Sequence, residues 1–230
     1  MSGRRALLIF AKAPKPGKVK TRLLAAVSAE VAAALHAACI ADTLRIARGL
    51  RGCDVLLFAA GGAEYFRELV QEQKIATRVQ VFPQRGEQLG ARLENAFRKS
   101  FRKGYREVVV IGTDTPWMRA GRLRAAFAAL QGSDVVIGPA EDGGYYLLGM
   151  RTMMPGIFRG IPWSTARVLK LTLGVAERLN LHAKLLPQDF DLDRPEDLRG
   201  AVRMLKSNAR LAPGLAAAVA QIRLQRKSTG

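Results

Sequence analysis

Residues Leu7 to Arg22 read LLIFAKAPKPGKVKTR, and this stretch decides the fold. The apolar run from Ala6 to Ala11 is short and bounded by turn residues, which predicts a buried first strand. In the loop that follows, Pro14 and Pro16 fix φ, and Gly17 lets the backbone come close to a partner. Lys12, Lys15, Lys18, Lys20 and Arg22 then crowd at the carboxyl end of that strand. Crowding of like charge is costly unless an anion sits there, and in open α/β sheets ligands bind outside the carboxyl ends of the strands. The loop is therefore expected to hold the phosphates of a nucleotide, with a solvated basic loop as the plainer alternative. Neither the GxxxxGK[ST] nor the GxGxxG spacing is present, so charge density and position carry this expectation.

Working outward, Ser28–Gly49 predicts a helix, with a capping Ser, Glu30 in the first turn and a closing Gly. Strands are expected at Asp54–Ala60, Thr77–Phe82, Glu107–Ile111 and Asp134–Ile137, separated by helices at Gly62–Lys74, Leu89–Lys103 and Arg119–Gln131. EVVVI at 107–111 is continuously apolar, as in the centre of a parallel sheet. The βαβαβαβαβ order demands a mostly parallel sheet with right-handed crossovers. Beyond it come a Gly-rich turn running into a strand (Asp142–Met150), an irregular stretch (Pro155–Trp163) and a helix (Thr165–Asn180). A short strand (Ala183–Pro187) and a helix with Pro at its start (Pro195–Lys206) follow. No internal repeat or linker is visible, so residues 1–210 read as a single domain. Residues 211–230 read as a C-terminal helix, over Leu211–Gln225, and a basic tail whose cationic cluster is Arg223–Lys227.

With 230 residues, 49% of them apolar, the chain can bury a full core. Cys39 and Cys53 have no CxxC or Cys/His spacing, which fits a reduced, cytoplasmic protein. His36 and His182 are far apart and are expected as a buried helix residue and a surface residue. No apolar span is long enough to cross a membrane, and the run after Arg5 is too short for a signal-peptide core. The net charge of +18 admits nucleic acid, an anionic membrane surface or a polyanionic small substrate as partner. Because the Lys and Arg residues are spread along the chain, the charge raises on-rates for anions without specifying one.

Asp114 lies in IGTDTP directly after the central strand, so it is expected to project into the same crevice as the basic loop. Gly112 permits close backbone approach there. The next helix starts several residues later, which weakens a capping role for Asp114. A second source of carboxylates is DFDLDRPED at 189–197. Asp191 and Asp193 share a face if the segment is extended, while Asp193 also stands where it can cap the helix that Pro195 opens. Mg²⁺ takes one or two carboxylates together with substrate phosphates and waters. One Asp from each segment, facing a lysine-rich loop, would clamp a metal–polyphosphate and stabilise charge building on a leaving phosphate oxygen. With only two histidines and no Ser/His/Asp or Cys/His arrangement, covalent catalysis is disfavoured. Asp114→Ala is expected to abolish turnover with folding intact.

FAKAPKPGKVKTRL, QRGEQLGARLENAF, GTDTPWM, GPAEDGGYYLLG, PWST and DFDLDRPEDL occur in that order. Together, over roughly residues 5–205, they resemble a bacterial GT-A-type transferase family of unassigned substrate, often labelled glycosyltransferase and associated with radical-SAM/selenodomain proteins. More distantly the chain is similar to molybdenum-cofactor and phospholactate nucleotidyltransferases and to CMP-sugar synthetases. The resemblance implies the nucleotide-diphospho-sugar transferase (GT-A) fold, a Rossmann-like α/β sheet, with Mg²⁺ or Mn²⁺ as cofactor. It places the nucleotide on Lys12, Ala13, Gly17, Lys18 and Thr113, with Gln84 and Gly86 at the base or ribose, and gives Asp114, Lys20 and Arg22 catalytic roles. Asp142, Gly143, Gly144 and Tyr145 would line the acceptor side, or form a plain Gly-Gly turn between strands, and Trp163, Ser164 and Thr165 would either contact the acceptor or cap the helix from Thr165. The metal would fall to Asp114 and to Asp193 or Asp191. Arg194 stands where the sugar-activating relatives usually carry Thr, and APKPGKVKTR replaces the GGxSxRMGxxK loop of the nucleotidyltransferases.

The expected function is Mg-dependent transfer from a nucleotide substrate to a small acceptor. Either an acceptor attacks the α-phosphorus of an NTP and pyrophosphate leaves, or a sugar is transferred from a nucleoside-diphospho-sugar. The rival class is a basic nucleic-acid-binding protein. It is disfavoured by an aromatic content of 7% and by the lack of RNP, KH or helix-turn-helix patterns. The nucleotide base, the acceptor and the oligomeric state stay open.

Overall fold

In the computed structural model, residues 4–72 and 79–228 are described, with side chains described as far as residue 222. The expected helix end at Lys74, the strand start at Thr77 and the side chains of the Arg223–Lys227 cluster lie outside the described residues. The strands are β1 (Arg5–Lys12), β2 (Cys53–Ala60), β3 (Val79–Pro83), β4 (Glu107–Ile111), β5 (Val135–Pro139), β6 (Tyr145–Met150) and β7 (Ala183–Leu185). The helices are α1 (Ala29–Arg48), α2 (Ala63–Glu72), α3 (Leu89–Arg102), α4 (Ala120–Ala129), α5 (Val168–Arg178), α6 (Pro195–Ser207) and α7 (Pro213–Ser228).

The strands form one seven-stranded sheet in the order β3-β2-β1-β4-β6-β5-β7. All pairings are parallel except those of β6, which runs antiparallel to both β4 and β5. The reversal follows from chain length, since only residues 140–144 join β5 to β6 and a parallel crossover needs a dozen residues or more. That hairpin closes with Gly143 N–H donating to the Ala140 carbonyl (3.2 Å) and Ala140 N–H to the Gly144 carbonyl (3.1 Å). Gly143 sits at φ 84°, and a Cβ there would come within 2.2 Å of the Ala166 carbonyl oxygen. Only glycine fits.

β4 is buried at every position and β1 over Ala6–Ile9 and at Ala11, as their apolar runs require in a sheet covered on both faces. One face packs Ile40 and Leu44 of α1, Phe66 of α2 and Leu123 and Phe127 of α4. The other packs Leu93 and Phe97 of α3, with Leu169 and Leu173 of α5 against them. A third cluster joins α1 to α6 and α7 through Leu35, Cys39, Leu205 and Leu215. There the buried Asp42 carboxylate caps α7, accepting from Gly214 N–H (3.1 Å) and Leu215 N–H (2.9 Å).

Helix α1 starts at the Ser28 cap, whose side chain accepts from Val31 N–H at 3.3 Å. Helix α5 begins at Val168, about a turn later than expected from Thr165. The Thr165 hydroxyl is spent on a local turn, donating to the Pro162 carbonyl (2.8 Å), and Ser164 at φ 65° breaks helical geometry. No helix among the described residues is long and apolar enough to cross a membrane.

Candidate active site

A cleft of about 380 Å³ opens at the carboxyl ends of β1 and β4. Its walls include Phe10, Lys12, Ala60 and Gln84 on the β1–β3 side, Gly112–Thr115 beyond β4, Tyr145 and Tyr146 of β6, Arg92 of α3 and Asp191. The elements deliver these residues as the strand–loop logic requires. Asp114 leaves β4 on the loop after Gly112. Asp191 arrives on a segment that first bridges Ala140 through Asp189 and then docks on the β4 loop, with Leu192 N–H donating to the Asp114 carbonyl at 2.8 Å.

Asp114 and Asp191 are the electrostatic centre. The Asp191 carboxyl is pushed up to about 7, first by burial and next by the charge of Asp114, with Asp142 adding to both. The Thr115 hydroxyl donates to Asp191 Oδ1 at 2.8 Å, which with Lys20 acts in the opposite direction. Partial burial also works against Asp114 ionising, but the Lys20 ammonium, its hydrogen bond and His36 outweigh that and hold Asp114 below the usual carboxylate range. Two carboxylates whose charges repel across a cleft are hard oxygen donors that a divalent cation would relieve. Among the described residues no group of three or more His, Cys, Asp or Glu is gathered for a metal. The pair therefore suits Mg²⁺ held jointly with substrate phosphates rather than a closed protein cage.

The cationic loop does not enter as one block. Lys12 lines the cleft, and its Nζ donates to the Lys18 carbonyl at 2.7 Å. Lys15 and Lys18 are exposed on the loop outside the walls. Gly17, at φ 70°, makes the turn and has nothing near its missing Cβ, so it serves conformation and not close approach. Lys20 lies behind Asp114, outside the cleft, with Nζ donating to Asp114 Oδ1 and to the Leu192 carbonyl. Arg22 pairs with Asp193 at 2.5 Å on the surface. The capping role open to Asp193 falls to Asp197, whose carboxylate accepts from the backbone N–H of Asp193 (3.0 Å) and Arg194 (2.6 Å). Of the two late aspartates, Asp191 faces the cleft and Asp193 does not.

Gln84 lines the cleft as expected. Its side-chain nitrogen donates to the carbonyls of Phe58 (2.9 Å) and Ala11 (3.4 Å), so carbonyl acceptors fix the amide orientation and leave its oxygen for a ligand. Thr113 is in the wall. Ala13 and Gly86 are outside it; Ala13 N–H extends the β1–β2 ladder to the Ala60 carbonyl (3.3 Å), and the Gly86 carbonyl accepts from Arg92 (2.9 Å). Tyr145 belongs to the wall, whereas Asp142, Gly143 and Gly144 form the hairpin beside it and the Asp142 carboxylate accepts from Gly144 N–H (2.9 Å). Trp163 packs edge-on against Tyr145, ring centres 6.3 Å apart, and with Ser164 and Thr165 lies outside the cleft.

His36, Arg92, Phe10 and Tyr146 line the cleft without having been singled out as site residues. Arg92 sits inside QRGEQLGARLENAF, so the motif carried its signal. His36 is buried, as expected, and reaches the site from α1. Its Nε2 lies 3.0 Å from the Lys12 carbonyl, to which it must donate, and Nδ1 is buried without a hydrogen-bond partner among the described residues. Burial pushes its pKa below the ordinary imidazole value, against the opposing charge of Asp114.

The strand order with one reversed strand, and a carboxylate-bearing cleft at the strand carboxyl ends, define the nucleotide-diphospho-sugar transferase fold class of GT-A type. Residues 43–165 match the family DUF2064, described as uncharacterized protein conserved in bacteria, and the chain belongs to that family. A candidate nucleotide-diphospho-sugar transferase from Desulfovibrio desulfuricans G20 is 33% identical, with TM-score 0.86 over 96% of this chain and 95% of that one. The fold is shared by a 4-diphosphocytidyl-2C-methyl-D-erythritol synthase from Anaerococcus prevotii (TM-score 0.61, 9% identity, 88% and 96% covered). It is shared also by a CMP-2-keto-3-deoxy-manno-octonic acid synthetase complexed with CTP (TM-score 0.54, 11% identity, 88% and 99% covered). No curated protein has a matching sequence. The resemblance carried by the six motifs thus holds: the protein is a GT-A-type transferase of unassigned substrate.

Proposed function

We propose that the protein is a divalent-metal-dependent transferase whose donor is a nucleoside-diphospho-sugar and whose acceptor is a small molecule. The observation that supports this most is the pairing of Asp114 with Asp191 in a cleft to which, among the described residues, Lys12 and Arg92 bring the Lys and Arg charge. Lys12, Arg92 and a dication, offset by the Asp114 and Asp191 carboxylates, leave a net charge that matches the two negative charges of a diphosphate diester. The dense lysine loop would favour a triphosphate only if all its ammonium groups converged, and Lys15, Lys18 and Lys20 do not line the cleft.

In this reading Lys12 and Arg92 bind the phosphates, Gln84 presents its oxygen to the base or ribose, and Tyr145 with the Asp142–Gly144 hairpin borders the acceptor. Asp114 and Asp191 would hold Mg²⁺ or Mn²⁺, which stabilises negative charge on the leaving nucleoside diphosphate. Phe10 and Leu148 give the cleft apolar walls that strengthen the charge interactions inside it. Asp142, on the hairpin beside the cleft, would be the base that takes the proton from an acceptor hydroxyl.

The test is incubation with a panel of nucleoside-diphospho-sugars, Mg²⁺ and pooled small acceptors, read as release of nucleoside diphosphate. Metal-dependent release supports the proposal. Silence across the panel, with pyrophosphate appearing from an NTP, would replace it with nucleotidyl transfer.

A further inference from the structure

The lysines of the first loop have unequal fates, and the one nearest the carboxylates is the most deeply buried. The Lys20 side chain is 3% exposed, against 47% for the Asp114 side chain it pairs with. Its backbone takes the left-handed conformation (φ 48°, ψ 38°), unfavourable for a residue with a Cβ, and this accompanies a side chain buried beneath the loop instead of standing in solvent. The ammonium donates to Asp114 Oδ1 and to the Leu192 carbonyl, and Leu192 N–H returns to the Asp114 carbonyl at 2.8 Å. Three segments distant in sequence are thereby tied together: the first loop, the loop after β4 and the segment carrying Asp191. The cleft walls contain Asp114 and Asp191 but not Lys20.

We propose that Lys20 is a positioning residue: from behind the cleft it holds Asp114 by one carboxylate oxygen and docks Leu192 so that Asp191 faces Asp114, and it does not contact the phosphates. A carboxylate gripped on one oxygen from behind and exposed on the other side is pre-organised for a cation in front. The Leu192 carbonyl is the second anchor, because it fixes the residue next to Asp191. Burial would depress the pKa of Lys20, but the charge of Asp114 and its hydrogen bond more than offset this, so the ammonium stays charged. The role in docking the Asp191 segment stands on geometry alone. Only its consequence for a metal rests on the function proposed above.

Competitive acylation of the wild-type protein's lysines, with and without a nucleoside-diphosphate panel and Mg²⁺, tests the placement without any substitution. Lys20 is expected to react at least 100-fold more slowly than Lys15 and Lys18 in both conditions. Reaction at a rate similar to theirs, with protection on adding nucleotide, would make it a phosphate ligand and overturn the proposal. Hydrogen exchange and Mn²⁺ titration on Lys20→Met and Lys20→Arg then test the docking. Lys20→Met is expected to speed exchange at the Leu192 amide at least 10-fold and to weaken Mn²⁺ binding at least 10-fold, with partial rescue by arginine. Unchanged Leu192 exchange in a folded Lys20→Met protein would overturn the proposal. Fast Leu192 exchange with no Mn²⁺ binding even in the wild type would leave the docking role intact and remove the metal from the proposed function.

Discussion

The Lys20 ammonium is sealed behind the Asp114 carboxylate, which is itself half open to the cleft. Asp114 therefore has a structural duty as well as a chemical one. Removing it leaves a buried cation whose remaining hydrogen bond among the described residues is to the Leu192 carbonyl.

Asp114→Ala should consequently lose stability along with turnover, contrary to the sequence-based expectation of intact folding. Breaking a buried pair by deleting one partner costs about 3 kcal/mol or more, which in a chain of this size lowers Tm by about 6–12 °C. Asp114→Asn keeps a hydrogen-bond acceptor for Lys20 and should lose less stability while still losing turnover. Thermal melts of the two variants beside activity assays check this.

Asp191 sets a pH dependence. Its folded-state pKa of about 7 lies above the ordinary value of 3.8. In that interval the folded state holds a proton that the unfolded chain releases, so the group costs stability increasingly as pH rises from about 4 to about 7. The gap is worth about 4 kcal/mol, so in EDTA Asp191→Asn should melt at the same temperature as wild type near pH 4 and about 8–16 °C higher at pH 8. Melts across pH 4–8 decide it. Equal melting temperatures at pH 8 would mean that neither burial nor Asp114 raises the Asp191 pKa.

Helix α7 depends on a cap supplied from another helix. Asp42→Ala removes both acceptors from the first turn of α7 and leaves Arg45, 3.5 Å away, without its carboxylate. A lost cap costs about 1–2 kcal/mol, so Tm should fall by about 2–8 °C. Because Asp42 is not among the residues of the cleft walls, kcat at 25 °C should be unchanged. Melting and steady-state rates measured together separate the two effects.

The frame of the site is legible in the sequence because its signals are local. EVVVI is apolar at every position and predicts a strand covered on both faces, and an Asp just past such a strand falls at the ligand-binding edge whatever the rest of the chain does. The fate of each charge is not legible, because it depends on contacts between segments. Lys15, Lys18 and Lys20 look alike in APKPGKVKTR, yet Lys20 alone takes a left-handed backbone and turns under the loop. Asp191 and Asp193 are equivalent on an extended segment until Arg22, 171 residues earlier, takes Asp193. His36 reads as an ordinary buried helix residue, since only the packing of α1 against the end of β1 brings it to the cleft wall.

The most direct measurement is thermal stabilisation by nucleoside diphosphates with and without Mg²⁺, in the wild type and in Asp191→Ala. At about 100 times Kd, binding stabilises by about 2.7 kcal/mol, a Tm rise of about 5–10 °C. That rise should require metal and nucleotide together and should vanish in Asp191→Ala. A rise of the same size in EDTA, or in Asp191→Ala, or none with any nucleotide, would contradict a metal–nucleotide site built on Asp114 and Asp191.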